Sequence, residues 1–340
     1  EDGANGNKST VMRFDGTDWQ TVGAAGFSAG RAEYASMALD SNGKPFVAFY
    51  DWGSGYKITV AKYDGINWVN VGPAGFSDND NPGSPSLALN SSGTPFIAYH
   101  DEGFKAVVKQ FDGNYWIDVG TSGFSAGEID EINLVLDAHD TPFVAYLDKA
   151  HEGKVTVMKF NGKNWEAVGN AGFSADRANY VSLNLDDNGT PYVVYDDLTN
   201  SGKATVMKFN GANWEAVGPV GFTAGDVNYI SVTLDDSGTP FVAYQDFLNN
   251  SGTCTVMRFN GTGWETVGKA GFSKVAVGLP PLAFDGSGAP FIAFMDGDNG
   301  NKATVMKFAA KKENVSLSGT INSQSGTLLN NVVVKLTGST

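Results

Sequence analysis

The segment "DDLTNSGKATVMKFNGANWEAVG" (196–218) returns almost word for word as "QDFLNNSGTCTVMRFNGTGWETVG" (245–268). Each copy joins two strand-like runs through Asn-Gly, the strongest short-range hairpin signal, because both residues tolerate the positive φ of a tight turn. Pairing Phe209 with Trp214 across that turn sets Lys208 opposite Glu215, and the same register sets Lys159 against Glu166 and Arg258 against Glu265. Such exposed cross-strand ion pairs contribute a few tenths to about 1 kcal/mol each. Their charge also keeps an outer strand from pairing with other chains.

Working outward, Trp19, Trp68, Trp116, Trp165, Trp214 and Trp264 recur at steps of 48 to 50 residues. Each period carries four strand-length runs, here called A to D; in the fifth copy they are "YISVTLD" (229–235), "PFVAYQD" (240–246), "TCTVMRF" (253–259) and "WETVG" (264–268). In the A–B turn "DDSGTP" (235–240), Gly238 supplies a positive φ and Pro240 opens strand B where a missing N–H is tolerated. Asp140 replaces that glycine in the third copy, and Asp is among the few residues that accept a left-handed conformation.

Four strands per period predict an all-β chain, a β-propeller of four-stranded blades over residues 1–308, rather than a β-helix with its much shorter coils. A single blade cannot bury both faces, whereas a closed ring of blades can. The long D–A link, such as "GFTAGDVN" (221–228), returns from the outer strand of one blade to the inner strand of the next. The runs number six of A, B and D but seven of C, because "EDGANGNKSTVMRF" (1–14) restates "MDGDNGNKATVMKF" (295–308). Six blades are expected, closed by N-terminal strands against C-terminal ones. One C strand is then displaced, exchanged with another molecule or packed elsewhere, and seven blades remain the alternative.

Composition narrows the function classes. A formal charge of −14 repels nucleic acid. No run approaches the roughly 18 apolar residues of a membrane span, so no membrane insertion is expected. Cys254 is the sole cysteine, which leaves no internal disulfide and no cysteine-based metal site. No secretory signal opens the sequence, in keeping with a mature or trimmed chain.

The period "W...VG..GFSAG....SL.LD..GTPFVAY.D......ATVMKFNG..W" resembles the propeller repeats of secreted and surface-attached bacterial proteins, loosely the neuraminidase-type repeat class, over residues 1–308. The resemblance implies an extracellular or cell-surface location. It does not extend to a sialidase site, which needs three converging arginines where this chain has only Arg13, Arg31, Arg177 and Arg258. Residues 309–340 break the period with "AAKKEN", and "VSLSGTINSQSGTLLNNVVVKLTGST" resembles the opening strands of carboxypeptidase-regulatory-like, Ig-like modules. That implies further domains in the same polypeptide.

Function is sought where repeats differ, on the face formed by D–A and B–C links, because loops on a rigid scaffold carry binding. Every copy ends strand B with Asp: Asp2, Asp51, Asp101, Asp148, Asp197, Asp246 and Asp296. A carboxylate ring would suit Ca²⁺, yet recurrence in every repeat favours each Asp capping its own loop. No cofactor is implied, and Asp78, Asp80, Asp296 and Asp298, in the oxygen-rich "SDNDNPG" (77–83) and "DGDNGN" (296–301), are the weak Ca²⁺ candidates. The binding candidates are Trp52, Tyr56, His100, Phe104, His151, Asp196, Gln245 and Phe247 near the B–C loops, with Arg31 and Arg177 in D–A links. Aromatic rings beside charged groups suit a glycan or a surface protein. A non-enzymatic binding or adhesion propeller is therefore expected. The alternatives are a glycoside hydrolase or lyase using a pair among Glu128, Asp130, Asp196 and Asp226, and an assembly unit working by strand exchange.

Overall fold

The computed structural model describes residues 1–247, 252–273, 276–278 and 281–308, so expectations about 309–340 lie outside the described residues. Strands A to D of blade 1 are Ala32–Leu39, Pro45–Asp51, Lys57–Tyr63 and Trp68–Asn70; those of blade 2 are Ser86–Leu89, Pro95–His100, Ala106–Phe111 and Trp116–Asp118. Blade 3 comprises Ile129–Leu136, Pro142–Asp148, Lys154–Phe160 and Trp165–Ala167, and blade 4 Val181–Leu185, Pro191–Asp197, Lys203–Phe209 and Trp214–Ala216. Blade 5 is Val227–Leu234, Pro240–Asp246, Thr253–Phe259 and Trp264–Thr266. Together with blade 6 they make six four-stranded sheets of a β-propeller. In the sixth, the fourth strand arises because strand A is split into Ala276–Val277 and Leu282–Phe284, both pairing with Pro290–Asp296, which in turn pairs with Lys302–Lys307.

The hairpin register follows the turn. Phe209 faces Trp214 and Lys208 faces Glu215, with the ion pair at 3.2 Å; Lys159–Glu166 closes to 3.3 Å and Arg258–Glu265 to 2.7 Å. These side chains are largely exposed, so solubility is their main contribution.

The core lies between blades, and among the described residues five of its six clusters draw their buried members from two successive sheets. Ala145 and Val157 of blade 3 meet Leu183, Val193 and Tyr195 of blade 4, while Val194, Ala204 and Val206 on the opposite face of blade 4 meet Ile230, Val232 and Tyr244 of blade 5. Alternation along each strand thus supplies two apolar faces per blade.

The recurrent tryptophans fasten one blade to the blade before it. Trp68, Trp116, Trp165, Trp214 and Trp264 each donate the indole N–H to the carbonyl of Val22, Val71, Val119, Val168 and Val217, at 2.7 to 2.9 Å. Each ring also stacks on the Phe of the preceding D–A link (Phe27, Phe76, Phe124, Phe173 and Phe222), with centroids 4.0 to 4.5 Å apart. Nearer the axis, the side chains of Ser36, Ser86, Asn133 and Ser182 accept the N–H of Leu87, Leu134, Leu183 and Val232 in the next strand A.

The two ends of the series depart from expectation. Strands Met12–Phe14 and Trp19–Thr21 form a separate two-stranded hairpin and do not pair with blade 6, whose strand C slot holds residues 302–307. The surplus C strand is therefore the N-terminal one, held as half a blade against blade 1 through Val11, Phe27 and the Trp68 bond. Nothing covers the neighbouring apolar faces among the described residues. Met37 is 57% exposed where the corresponding Leu183 is 3%, and Val305 is 39% exposed where Val206 is 1%.

Trp214→Phe keeps the ring stack but leaves the Val168 carbonyl without its partner, and should lower unfolding stability by about 1–3 kcal/mol in urea denaturation. An unchanged midpoint would mean that the bond adds nothing to the junction.

Candidate functional site

On the loop face, the Asp that ends strand B ties the B–C turn beside it in blades 1, 3 and 4. Asp51 accepts the Gly53 N–H at 3.0 Å with one carboxylate oxygen and the Ser54 and Thr59 hydroxyls at 2.7 and 2.9 Å with the other, while the Thr59 hydroxyl accepts the Gly75 N–H of the following link. Asp197 repeats this with Thr199, Asn200 and Thr205, and Asp2 with Ala4, Asn5 and Thr10. In the third repeat His151 takes the corresponding place, its Nδ1 2.8 Å from Asp148. These carboxylates are occupied by their own loops, so the recurrent Asp is a cap. Among the described residues no three of His, Cys, Asp and Glu gather as a metal ion would require. Asp78 approaches Lys109 at 3.8 Å, the Asp80 carbonyl accepts the Tyr50 hydroxyl, and Asp296 caps the turn that contains Asp298.

Blade 1 gathers three of the candidates. A Cβ placed on Gly30 would lie 2.5 Å from the Gly53 nitrogen, so only glycine lets the D–A link touch the B–C turn. That contact sets the Arg31 guanidinium over the Trp52 ring, 4.8 Å from its centroid. The Trp52 indole N–H donates to Glu33 at 3.2 Å, and Arg31 pairs with Glu33 at 2.5 Å and with Glu1 at 3.4 Å. Tyr56 lies 5.2 Å from Trp52 between ring centroids, Tyr50 stands 6.3 Å from Tyr56, and Tyr34 stands 6.4 Å from Tyr50. Trp52, Tyr56 and Tyr34 are all exposed. The result is an open aromatic patch with a cation and a carboxylate at its edge.

The other candidates are dispersed. His100 and Phe104 form a smaller ring pair on blade 2, with centroids 5.0 Å apart. Asp196 is buried, not displayed: its carboxylate accepts the N–H groups of Asn179 and Tyr180 at 2.6 and 2.9 Å. Gln245 is buried as well and donates to the Gly252 carbonyl. Phe247 is half-buried, its N–H bonded to the Asp226 carbonyl, and Arg177 is exposed beside Gly153. Glu128 and Asp130 are ion-paired with Lys149, at 3.6 and 3.0 Å.

Sequence reasoning missed a set of residues at the start of strand A. A register shift there places Tyr34, Glu131 and Tyr229 at φ of 49°, 46° and 47°, a left-handed conformation rare for bulky residues. Such a bulge has no glycine to announce it. Tyr180 and Tyr229 meet with centroids 5.1 Å apart. Glu131 reaches water, yet the protein around it displaces enough hydration to push its carboxyl up to about 7, and the charges of Asp130 and Asp196 add to the shift.

No family model matches the chain, and no curated protein matches it. Solved structures do. The Aleuria aurantia lectin in complex with Fucα1-6GlcNAc aligns with a TM-score of 0.58 at 14% identity, covering 82% of this chain and 92% of the lectin. AofleA from Arthrobotrys oligospora gives 0.55 at 14% identity, over 83% and 84% of the two chains. An ulvan lyase bound to a GlcA–Rha3S segment gives 0.50 at 14% identity, over 75% and 78%. At this identity the likeness is one of fold: the chain shares a β-propeller scaffold with a lectin, AofleA and a polysaccharide lyase.

A carboxyl whose folded-state value is raised loses stability as pH climbs from its unfolded value of about 4.5 toward 7, since the folded state holds the proton longer. Glu131→Gln should flatten the stability profile over that window, read by chemical denaturation at several pH values. A profile of unchanged slope would assign the loss to other groups.

Proposed function

We propose that the protein is an extracellular, surface-associated glycan-binding propeller that acts without catalysis of its own and engages sugar through the blade 1 patch. The observation that carries this reading is the joining of Trp52, Tyr56 and Tyr50 with Arg31 and Glu33 on one exposed face. A pyranose presents an apolar C–H face that covers an aromatic ring and hydroxyls that need donors and acceptors at its rim. Arg31 and Glu33 supply both. The capped turn beneath holds the rings before ligand arrives, so little conformational freedom is lost on binding. Support also comes from the propeller neighbours whose structures hold glycans, and the surface location rests on the resemblance of the repeat and of residues 309–340.

A second reading, a carbohydrate-active enzyme, is favoured by Glu131 alone, whose titration near neutrality suits a general acid or base. Release of reducing or unsaturated ends from a polysaccharide panel, lost in Glu131→Gln, would establish it.

Glycan-array screening followed by calorimetry should find a sugar ligand whose affinity falls about tenfold or more in Trp52→Ala. Asp197→Ala should leave that affinity intact while lowering stability by about 2–3 kcal/mol, because it unties a different blade. Binding to a surface protein with no sugar recognised, or full affinity in Trp52→Ala, would overturn the assignment.

A further inference from the structure

The five Trp junctions account for every tryptophan of the repeat series except Trp19, and for every junction site except one. Trp19 is 46% exposed, and its ring contact among the described residues is with Phe14 of its own hairpin, with centroids 5.6 Å apart. The other hairpins show the same separation: Phe160–Trp165, Phe209–Trp214 and Phe259–Trp264 all stand at 5.6 Å. The N-terminal hairpin therefore already has the shape of a blade's outer half. At the far end, Val267 and Phe272 of blade 5 are the counterparts of Val217 and Phe222, yet no tryptophan sits on them. Phe272 instead meets Phe308 edge-on at 5.2 Å. One tryptophan without a socket and one socket without a tryptophan remain.

The strands match in the same way. Among the described residues, strand Met12–Phe14 has a partner on its outer side and none on its inner side, whereas strand Lys302–Lys307 has an inner partner and none on its outer side. The two segments are near-copies: Asp2, Gly3, Asn5, Gly6, Asn7, Lys8, Thr10, Val11, Met12 and Phe14 recur as Asp296, Gly297, Asn299, Gly300, Asn301, Lys302, Thr304, Val305, Met306 and Phe308. Whatever holds residues 302–307 against strand B of blade 6 is thus present in residues 8–13.

We propose that blade 6 has two interchangeable occupants, and that the chain's own N-terminal hairpin displaces strand 302–307 from Pro290–Asp296 to close the propeller. The hairpin travels with blade 1, keeping its Trp68 bond and its Val11 and Phe27 contacts. Trp19 then stacks on Phe272 and donates to the Val267 carbonyl, Phe14 takes the place of Phe308, and blade 6 becomes a full four-stranded blade with a true strand D. Closure also covers Met37 and Leu39, apolar side chains that this structure leaves in water. The new seam lacks one bond found at the four junctions between blades 1 and 5, because Pro281 stands where Ser36, Ser86, Asn133 and Ser182 accept an N–H. With one bond fewer than those four, the seam is the one from which the hairpin can part again. A second copy could present the same hairpin, so the test separates the two sources.

The exchange is read by engineered cross-links in the full chain. Cys254→Ala removes the native thiol and matches Ala204, its counterpart in blade 4. Phe291→Cys is combined either with Arg13→Cys, which by the Lys208–Tyr192 register faces it only after exchange, or with Lys307→Cys, which faces it in the arrangement described here. Under mild oxidation in dilute solution, the 13–291 cross-link should form within single chains, and its yield should fall about tenfold when Trp19→Ala is added. Formation of the 307–291 cross-link with no 13–291 product would overturn the proposal. So would a 13–291 product that joins tagged to untagged chains in a mixture, since the hairpin would then come from a second copy.

Discussion

The structure depends on one repeated contact, an indole held by a backbone carbonyl and a phenyl ring of the preceding blade. Both groups of the socket come from residues that flank a D–A turn, so the contact fixes the distance and the rotation between successive sheets together. A carbonyl at the end of a short outer strand would otherwise face water, and a phenyl ring in a link would otherwise lie on the surface. The tryptophan answers both needs with one side chain. The inner junctions through Ser36, Ser86, Asn133 and Ser182 add a second point of attachment near the axis. Two points of attachment thus join each pair of successive blades from blade 1 to blade 5.

From that frame follows a division of labour within each repeat. The A–B and C–D turns are short and alike. The opposite links are tied down by Asp and Thr yet vary in the side chains they display. In blade 1 the variation assembles aromatic rings with an Arg–Glu pair, whereas in blade 4 it builds a buried acceptor for two backbone N–H groups. Repeats of similar sequence thus build different local structures at equivalent positions.

Much of the fold is legible in the sequence because the signals are local. Asn210-Gly211 fixes its hairpin, the hairpin fixes Lys208 against Glu215, and the tryptophan spacing fixes the period. The site is less legible. Asp196 and Gln245 precede the loop-facing Asp of strand B by one residue, and pairing with strand A, or a side chain acting in its place, continues through that position and buries them. Glu33 and Tyr34 were hidden by the bulge at the start of strand A, which carries no glycine and no shift in composition. The fate of the duplicate C strand was undecidable from residues alone, since the two copies carry nearly the same side chains.

The reach of the tryptophan bonds bears on how the chain acquires its shape. Each spans 45 to 47 residues, so blades 1 to 5 are each registered against the sheet synthesised just before, and no junction among these five waits for a distant partner. Assembly can therefore advance with translation, each finished sheet serving as a template for its successor. In that order the Met12–Thr21 hairpin is available to blade 1 as a template before blade 6 is made.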